Sequence, residues 1–148
     1  GRPGHTITSI YLDADEMEAY IHKLYAKYDV AERSEVRFEE YLTEDADVVL
    51  VAYGIVSRVV RSAVEELRTK GIKAGMVRPI TLWPFPKAVL KGLAERVRFF
   101  LVSEMSMGQM VEDVQLAVNG QRPVYFYGRS GGNVPTPAEI VAEVAKRV

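Results

Sequence analysis

From Asp47 onward, short apolar runs alternate with amphipathic helical patterns, and this rhythm restricts the chain to very few architectures. The first run, residues 48–53, is continuously apolar and too short for a helix, as is typical of a strand buried on both faces. Comparable runs follow at 72–77, 97–102 and 123–127. Strands alternating with helices favour a mostly parallel sheet covered on both faces. We therefore predict an α/β fold, a three-layer Rossmann-like sandwich.

The predicted helices carry recognisable ends. We expect Ser57 to cap the helix after the first strand, and Gly71 suits the position just beyond its last residue. Pro86 suits the first helical position of a second helix, which runs to about residue 96, and a third helix covers about 108–119. Residues 136–139 (TPAE) form a capping box that begins a last helix ending near residue 147.

The first 46 residues differ in character from the rest. Asp13 and Glu16 form a plausible N-terminal box for a helix with an apolar stripe, which consists of Met17, Tyr20, Ile21, Leu24, Tyr25 and Tyr28. A second, weaker helix is predicted over residues 32–42. We expect the tyrosines to pack against the α/β part, with an intersubunit contact as the alternative. The predicted domains are therefore a linker and helical extension, 1–46, and an α/β domain, 47–148.

Composition and charge exclude several classes of function. Nineteen basic and twenty acidic residues give a formal net charge of −1, so no overall field favours nucleic acid or an anionic membrane. With no cysteine, the chain can hold neither a disulfide nor a thiolate-ligated iron–sulfur cluster. No apolar run approaches the roughly 18 residues that span a bilayer, and the start of the chain lacks a signal-peptide core. We expect a soluble, cytoplasmic domain cut from a longer polypeptide.

Motifs for chemistry are missing from the sequence. The turn after the first strand reads GIVSR and lacks the further glycines of a dinucleotide-binding loop, and no P-loop occurs. His5 and His22 have no ligand partners at metal spacing, and no serine lies in a nucleophile elbow. We therefore predict no catalytic, cofactor-binding or metal-binding residues, and no appreciable binding of NAD.

Instead, three loops that follow strands have the composition of an interface. They are the segment 78–86 (RPITLWPFP), a methionine-rich segment after the third strand, and a glycine-rich segment after the fourth. In a parallel sheet all three begin at the same edge, so we expect them to be neighbours. The alternatives are that Trp83 packs in the core, that the methionines fill gaps, and that Glu104 accepts hydrogen bonds from loop amides. The predicted interface residues are Trp83, Phe85, Glu104, Met107, Gly108, Gln109, Met110, Arg129, Gly131 and Gly132.

These loops, together with Ala52-Tyr53-Gly54 and the run GQMVEDV at 108–114, resemble the C-terminal domain of the α subunit of 2-oxoacid:ferredoxin oxidoreductases. The resemblance covers about residues 47–148 and implies a transketolase C-terminal-like fold. Enzymes of this family oxidatively decarboxylate a 2-oxoacid with coenzyme A and pass the electrons to ferredoxin. They use thiamine diphosphate, magnesium and iron–sulfur clusters, which the resemblance places in other domains and in the β subunit.

The resemblance thus implies a non-catalytic assembly domain that is inactive as a fragment. Its implied partners are other domains of the same α subunit and the β subunit. Ferredoxin is the implied electron acceptor of the complex. It favours subunits for 2-oxoglutarate or 2-oxoisovalerate over pyruvate and leaves the choice open, together with the number and arrangement of subunits. Two alternatives remain at this point. One is the C-terminal domain of a transketolase or a dehydrogenase E1 β-type enzyme, and the other is a standalone ligand-binding α/β module.

Overall fold

The computed structural model describes residues 1, 3–4 and 8–148. The chain divides into two compact units, Gly1–Glu35 and Val36–Val148. Each unit is considered by itself below.

The first unit contains one long helix, α1 (Ala14–Ser34). Asp13 caps it, because one carboxylate oxygen accepts hydrogen bonds from the backbone N–H of Asp15 at 2.9 Å and of Glu16 at 3.0 Å. The ring of Tyr11 stacks on that of Tyr20 with 5.0 Å between centroids. The predicted helix is confirmed. Within the described part of the unit, no residue of α1 is buried: Leu24 of the apolar stripe is half-buried and its other five members are exposed.

The second unit is built on a five-stranded sheet with the order β1-β3-β2-β4-β5. Strands β2 to β5 run parallel, and β1 pairs antiparallel with β3. Every residue of β2 and β4 is buried, which explains their continuous apolar character. The predicted mostly parallel sheet is confirmed. The strands are β1 (Phe38–Tyr41), β2 (Val48–Val51), β3 (Ala74–Pro79), β4 (Phe99–Glu104) and β5 (Val124–Gly128).

Helices cover both faces of this sheet and bury a separate apolar cluster on each. One cluster joins α2 and α5 to the sheet, and the other joins α3 and α4 to the opposite face. Alternate residues of a strand therefore enter different clusters, as Phe100 and Leu101 of β4 do. The helices are α2 (Gly54–Thr69), α3 (Lys87–Ala94), α4 (Met110–Val118) and α5 (Pro137–Ala145).

The helix predicted over residues 32–42 is wrong, since part of that segment forms β1. Glutamates favour a helix in isolation, but tertiary contacts decide here. Glu39 forms salt bridges with Arg61 and Arg78, both at 3.2 Å, and the guanidinium of Arg61 lies 4.0 Å from the ring centroid of Tyr41. The sheet-containing unit consequently begins at Val36, ahead of the expected boundary at residue 47.

Two predicted helix starts also differ from the structure. Ser57 does not cap α2, because its hydroxyl donates to the carbonyl of Gly54 at 2.7 Å, and Tyr53 holds the cap position without a side-chain bond. Pro86 lies just before α3 rather than within its first turn. The expected end of α2 is confirmed, because Gly71 follows its last residues with a φ of 81°.

The capping box of α5 provides a test of the fold. The Thr136 hydroxyl oxygen accepts from the Glu139 N–H at 3.3 Å, and the Glu139 carboxylate accepts from the Thr136 N–H at 2.7 Å. Thr136→Ala removes one side of the box and should lower the free energy of unfolding by about 1 kcal/mol. Urea denaturation measures this loss, with Thr69→Ala on the exposed end of α2 as the control. An unchanged urea midpoint for Thr136→Ala would contradict the role of the cap.

Candidate docking site at the carboxyl edge of the sheet

Three connections leave the carboxyl ends of parallel strands of the sheet, two of which, β4 and β5, are neighbours, while β2 separates β3 from β4. We name them the proline loop (residues 80–86, after β3), the methionine turn (105–109, after β4) and the glycine loop (129–135, after β5). Parallel strands end at one edge, so all three lie there. The glycine loop is joined to the end of β4, where the methionine turn begins, because the Arg129 N–H donates to the Glu104 carbonyl at 3.1 Å.

Large apolar side chains are exposed along this edge. Trp83 in the proline loop is 55% exposed, and Met107 in the methionine turn is 83% exposed. Solvent alone does not favour such exposure, since burying one large apolar side chain contributes roughly 1.5–3 kcal/mol. Apolar residues grouped on a surface mark interaction sites. The remaining exposed members of the group are Ile80, Leu82, Met105 and Val134.

Hydrogen bonds from the residue preceding β1 hold the proline loop in place. The Arg37 carbonyl accepts from the Ile80 N–H at 2.9 Å, and the Arg37 N–H donates to the Thr81 hydroxyl oxygen at 3.0 Å. The Thr81 hydroxyl in turn donates to the Pro84 carbonyl at 2.8 Å, and the Trp83–Pro84 peptide bond is cis. Pro84 and Phe85 of the same loop are buried. The hydrogen bonds and these buried residues fix the backbone that carries the exposed ring of Trp83.

A fully buried carboxylate fixes the methionine turn. Glu104 ends β4, and its side chain accepts hydrogen bonds from three successive backbone N–H groups at the start of α4. These are the N–H of Gln109 at 3.3 Å, of Met110 at 3.0 Å and of Val111 at 3.0 Å. The side chain of Glu104, just before the turn, therefore binds the backbone just after it and fixes the turn between β4 and α4.

A serine in the turn completes the coordination of this carboxylate. The Ser106 hydroxyl donates to the second oxygen of Glu104 at 3.2 Å, and its oxygen accepts from the Gly108 N–H at 3.1 Å. Gly108 has a φ of 109°, a conformation that side chains disfavour. Because both oxygens of Glu104 meet only donors, the geometry fits the ionised carboxylate.

An ion pair anchors the glycine loop to α5. The Arg129 guanidinium lies 2.9 Å from one oxygen of Glu139, while the other oxygen accepts from Thr136. The Thr136 hydrogen bonds, chiefly that from its backbone N–H, and the nearby charge of Arg129 lower the pKa of Glu139 below its ordinary value. Gly131 and Gly132 have φ values of 64° and 88° and supply the left-handed backbone of the loop.

The predicted interface residues thus fall into two groups. Trp83, Met107 and Gln109 are exposed, as are Gly131 and Gly132, and they form surface at this edge. A direct surface role does not hold for the side chains of Phe85, Glu104 and Met110, because each is buried and supports a loop from below. Gly108 and Arg129 are partly buried, and the charge of Arg129 is already paired.

Sequence reasoning missed several residues that shape this edge. Ile80, Leu82 and Met105 add exposed apolar area, and Ser106 links the turn to Glu104. The first three lie in segments already singled out, so a count of their apolar residues would have found them. The bond from Ser106 depends on the fold of the turn and has no signal in the sequence.

The described part of the chain shows neither a cluster of metal ligands nor a membrane-crossing helix. Within it, no group of three or more His, Cys, Asp or Glu side chains is placed to hold a metal ion. His22 is exposed with Glu18 at 4.0 Å, and His5 lies outside the described residues. None of the described helices has the length and apolar character needed to cross a membrane.

A mostly parallel α/β sandwich with helices on both faces of its sheet defines a Rossmann-like domain. Comparison with known proteins agrees with this class. Residues 46–140 match the family model described as pyruvate:ferredoxin oxidoreductase core domain II, and the chain belongs to that family. The resemblance drawn from the sequence is confirmed.

Relatives of the chain include subunits of 2-oxoacid oxidoreductases. The chain is 49% identical over 138 residues to ketoisovalerate oxidoreductase subunit VorB of Methanothermobacter marburgensis, covering 93% of this chain and 39% of that protein. It is 38% identical over 102 residues to 2-oxoglutarate synthase subunit KorA of the same organism, covering 69% of this chain and 27% of that protein. The chain therefore spans about two fifths of the length of VorB.

Solved structures share the fold. A 2-oxoglutarate:ferredoxin oxidoreductase from Magnetococcus marinus, with 2-oxoglutarate, coenzyme A and succinyl-CoA bound, aligns with a TM-score of 0.74 at 23% identity, over 92% of this chain and 24% of that one. A split-gene transketolase, described as an inactive β4 tetramer, aligns with a TM-score of 0.63 at 24% identity, over 74% of this chain and 40% of that one. The transketolase-like fold is thereby confirmed.

Close packing between the methionine turn and the end of β5 provides a further prediction. A Cβ atom added at Gly128 would lie 2.4 Å from the Ser106 carbonyl oxygen and 2.4 Å from the ring of Phe126. Gly128→Ala should therefore push the methionine turn away from β5 and lower the free energy of unfolding by about 1–3 kcal/mol. Thermal denaturation measures the effect.

The matched control is Gly92→Ala in α3, where an added Cβ meets no atom within 4 Å. This variant should stabilise the chain by about 0.5–1 kcal/mol, because alanine favours the helix over glycine. Equal stability of the two alanine variants would show that the contact at Gly128 has no role.

Proposed function

We propose that this chain is the C-terminal assembly domain of the α subunit of a thiamine-dependent 2-oxoacid:ferredoxin oxidoreductase, and that its carboxyl edge docks against a neighbouring domain or subunit. The parent enzyme would decarboxylate a 2-oxoacid oxidatively to an acyl-CoA and reduce ferredoxin. One observation carries the docking proposal: exposed Trp83 and Met107 stand on loops whose backbones are fixed by internal hydrogen bonds.

Rigid presentation favours binding because little conformational entropy is lost when the partner arrives. The proline loop has three buried residues of its own, Pro84, Phe85 and Pro86, and the methionine turn is held by Glu104. Aromatic residues and methionine are enriched in the cores of protein interfaces. The length of VorB beyond the matched region supports a partner within the same polypeptide.

The cofactors of the parent enzyme belong elsewhere in this proposal. The chain has no cysteine for an iron–sulfur cluster. The helix N-terminus that could receive a diphosphate at the start of α4 is filled by the carboxylate of Glu104, so these residues do not fit thiamine diphosphate. We therefore place thiamine diphosphate, magnesium and the clusters in other domains or in the β subunit, with coenzyme A as a substrate of the whole complex.

Substrate and location are proposed on the same basis. Identity is higher to the VorB relative than to the KorA relative, which supports a branched-chain 2-oxoacid ahead of 2-oxoglutarate. A pyruvate synthase subunit PorA from Methanothermobacter thermautotrophicus is 29% identical over 114 residues, which makes pyruvate the least supported of the three. A cytoplasmic location for the complex remains a prediction from the sequence.

The docking proposal is tested by Trp83→Ala in the parent complex. Burial of this side chain against the partner should contribute roughly 1.5–3 kcal/mol to the free energy of association. Its removal should therefore raise the dissociation constant about 10- to 100-fold. Sedimentation analysis would show this dissociation, and 2-oxoacid-dependent ferredoxin reduction should fall with it. The free energy of unfolding of the 148-residue chain should fall by less than the free energy of association, since 55% of the side chain is already exposed in the chain.

Leu116→Ala is the matched control, because Leu116 is also an exposed large apolar residue but lies along α4, away from the three loops. It should leave assembly unchanged. The proposal fails if the Trp83 variant assembles and turns over normally while the chain itself loses thermal stability, since Trp83 would then act only within this fold.

A further inference from the structure

The methionine turn lies at the place where open α/β sheets usually bind ligands. Strands β2 and β4 are neighbours, but the chain leaves β2 through α2 towards β3 and leaves β4 through α4 towards β5. Their helices therefore lie on opposite faces of the sheet. The crevice at such a reversal is the general ligand site of this architecture, with anions bound at a helix N-terminus.

In this chain the N-terminus of α4 already holds an anion. The two oxygens of Glu104 accept from the N–H groups of Gln109, Met110 and Val111, the groups that have no partner inside the helix. The side chain is completely buried, and no cation of the described chain forms a salt bridge with it. The positive end of the α4 dipole and the Ser106 hydroxyl therefore stabilise the negative charge of Glu104.

We infer that Glu104 is a built-in anion that closes the ligand site at α4 and acts as a positioning residue for the methionine turn. The site would take a carboxylate or phosphate if the side chain were absent, and in the native chain it is shut to such ligands. The link to docking rests on the proposed function, whereas the closure of the site does not.

If Glu104 fills an anion site, a group that replaces its side chain must match both its charge and its shape. Glu104→Ala removes a CH2 group and the carboxylate attached to it. The removed group has the composition of acetate less one hydrogen. Its loss leaves three backbone N–H groups facing an empty space. Acetate should therefore enter and restore the lost bonds. Glu104→Gln fills the space but turns an amide NH2 group towards N–H donors, so it should destabilise the turn and gain nothing from acetate.

The experiment is thermal denaturation of the 148-residue chain in sodium acetate against sodium chloride of equal ionic strength. For Glu104→Ala, acetate at ten times its dissociation constant should raise the folded-to-unfolded ratio about elevenfold, a rise in melting temperature of roughly 3–5 °C. Acetamide, which has the same shape without the charge, should not reproduce the rise. Wild type should be unaffected.

Val114→Ala is the control for a cavity alone, because Val114 is fully buried in α4 but no unpaired amides face it. It should not respond to acetate. A folded Glu104→Ala chain that ignores acetate overturns the inference, as does an equal response from Val114→Ala.

Should Glu104→Ala fail to fold, even in acetate, Glu104→Gln decides the matter. A tenfold drop in the folded-to-unfolded ratio of Glu104→Gln, about 1.4 kcal/mol at 25 °C, or a larger one supports the need for a charged acceptor. A Glu104→Gln chain as stable as wild type refutes it. Since these measurements involve no partner, they can fail while the docking of Trp83 holds, and the reverse is equally true.

Discussion

Two of the three loops at the carboxyl edge of this domain depend on the burial of one carboxylate. A charge removed from water is tolerated only when strong hydrogen bonds replace its hydration. Glu104 meets that requirement with backbone N–H groups of α4 and the Ser106 hydroxyl. Its own carbonyl accepts from Arg129 and so ties the glycine loop to the same point. One residue thus sets the positions of two loops.

The sheet provides the platform on which this arrangement stands. Four parallel strands, of which β2 and β4 are buried throughout, lie between pairs of helices and bring the connections after β3, β4 and β5 to a common edge. The antiparallel strand β1 covers the outer side of β3, and Arg37 just before it holds the proline loop. Apolar side chains at this edge are therefore presented from fixed backbones, which suits a surface that meets a partner.

Much of the fold could be predicted because the parallel strands are continuous apolar runs of limited length. The strand β1 could not, since its FEEY sequence carries no such run and becomes a strand only when Glu39 meets Arg61 and Arg78. Within the site, composition alone could not separate exposed Trp83 from buried Phe85, or exposed Met107 from buried Met110. The bonds of Glu104 to loop amides were foreseeable from its place at a strand end. The pairing of Arg129 with Glu139 was not, because it depends on how the glycine loop folds back on α5.

The claim that this edge is covered in the parent enzyme is tested most directly by oxidative labelling of its side chains. Met107 and Trp83 would be labelled by hydroxyl radicals in the isolated chain and in the parent complex, with fully buried Met76 as the unreactive reference and exposed Tyr125 on β5 as the reactive one. The account predicts that both edge residues react readily in the isolated chain and are protected several-fold in the complex, while the Tyr125 rate changes less. Equal labelling of Met107 and Trp83 in the two samples would contradict it.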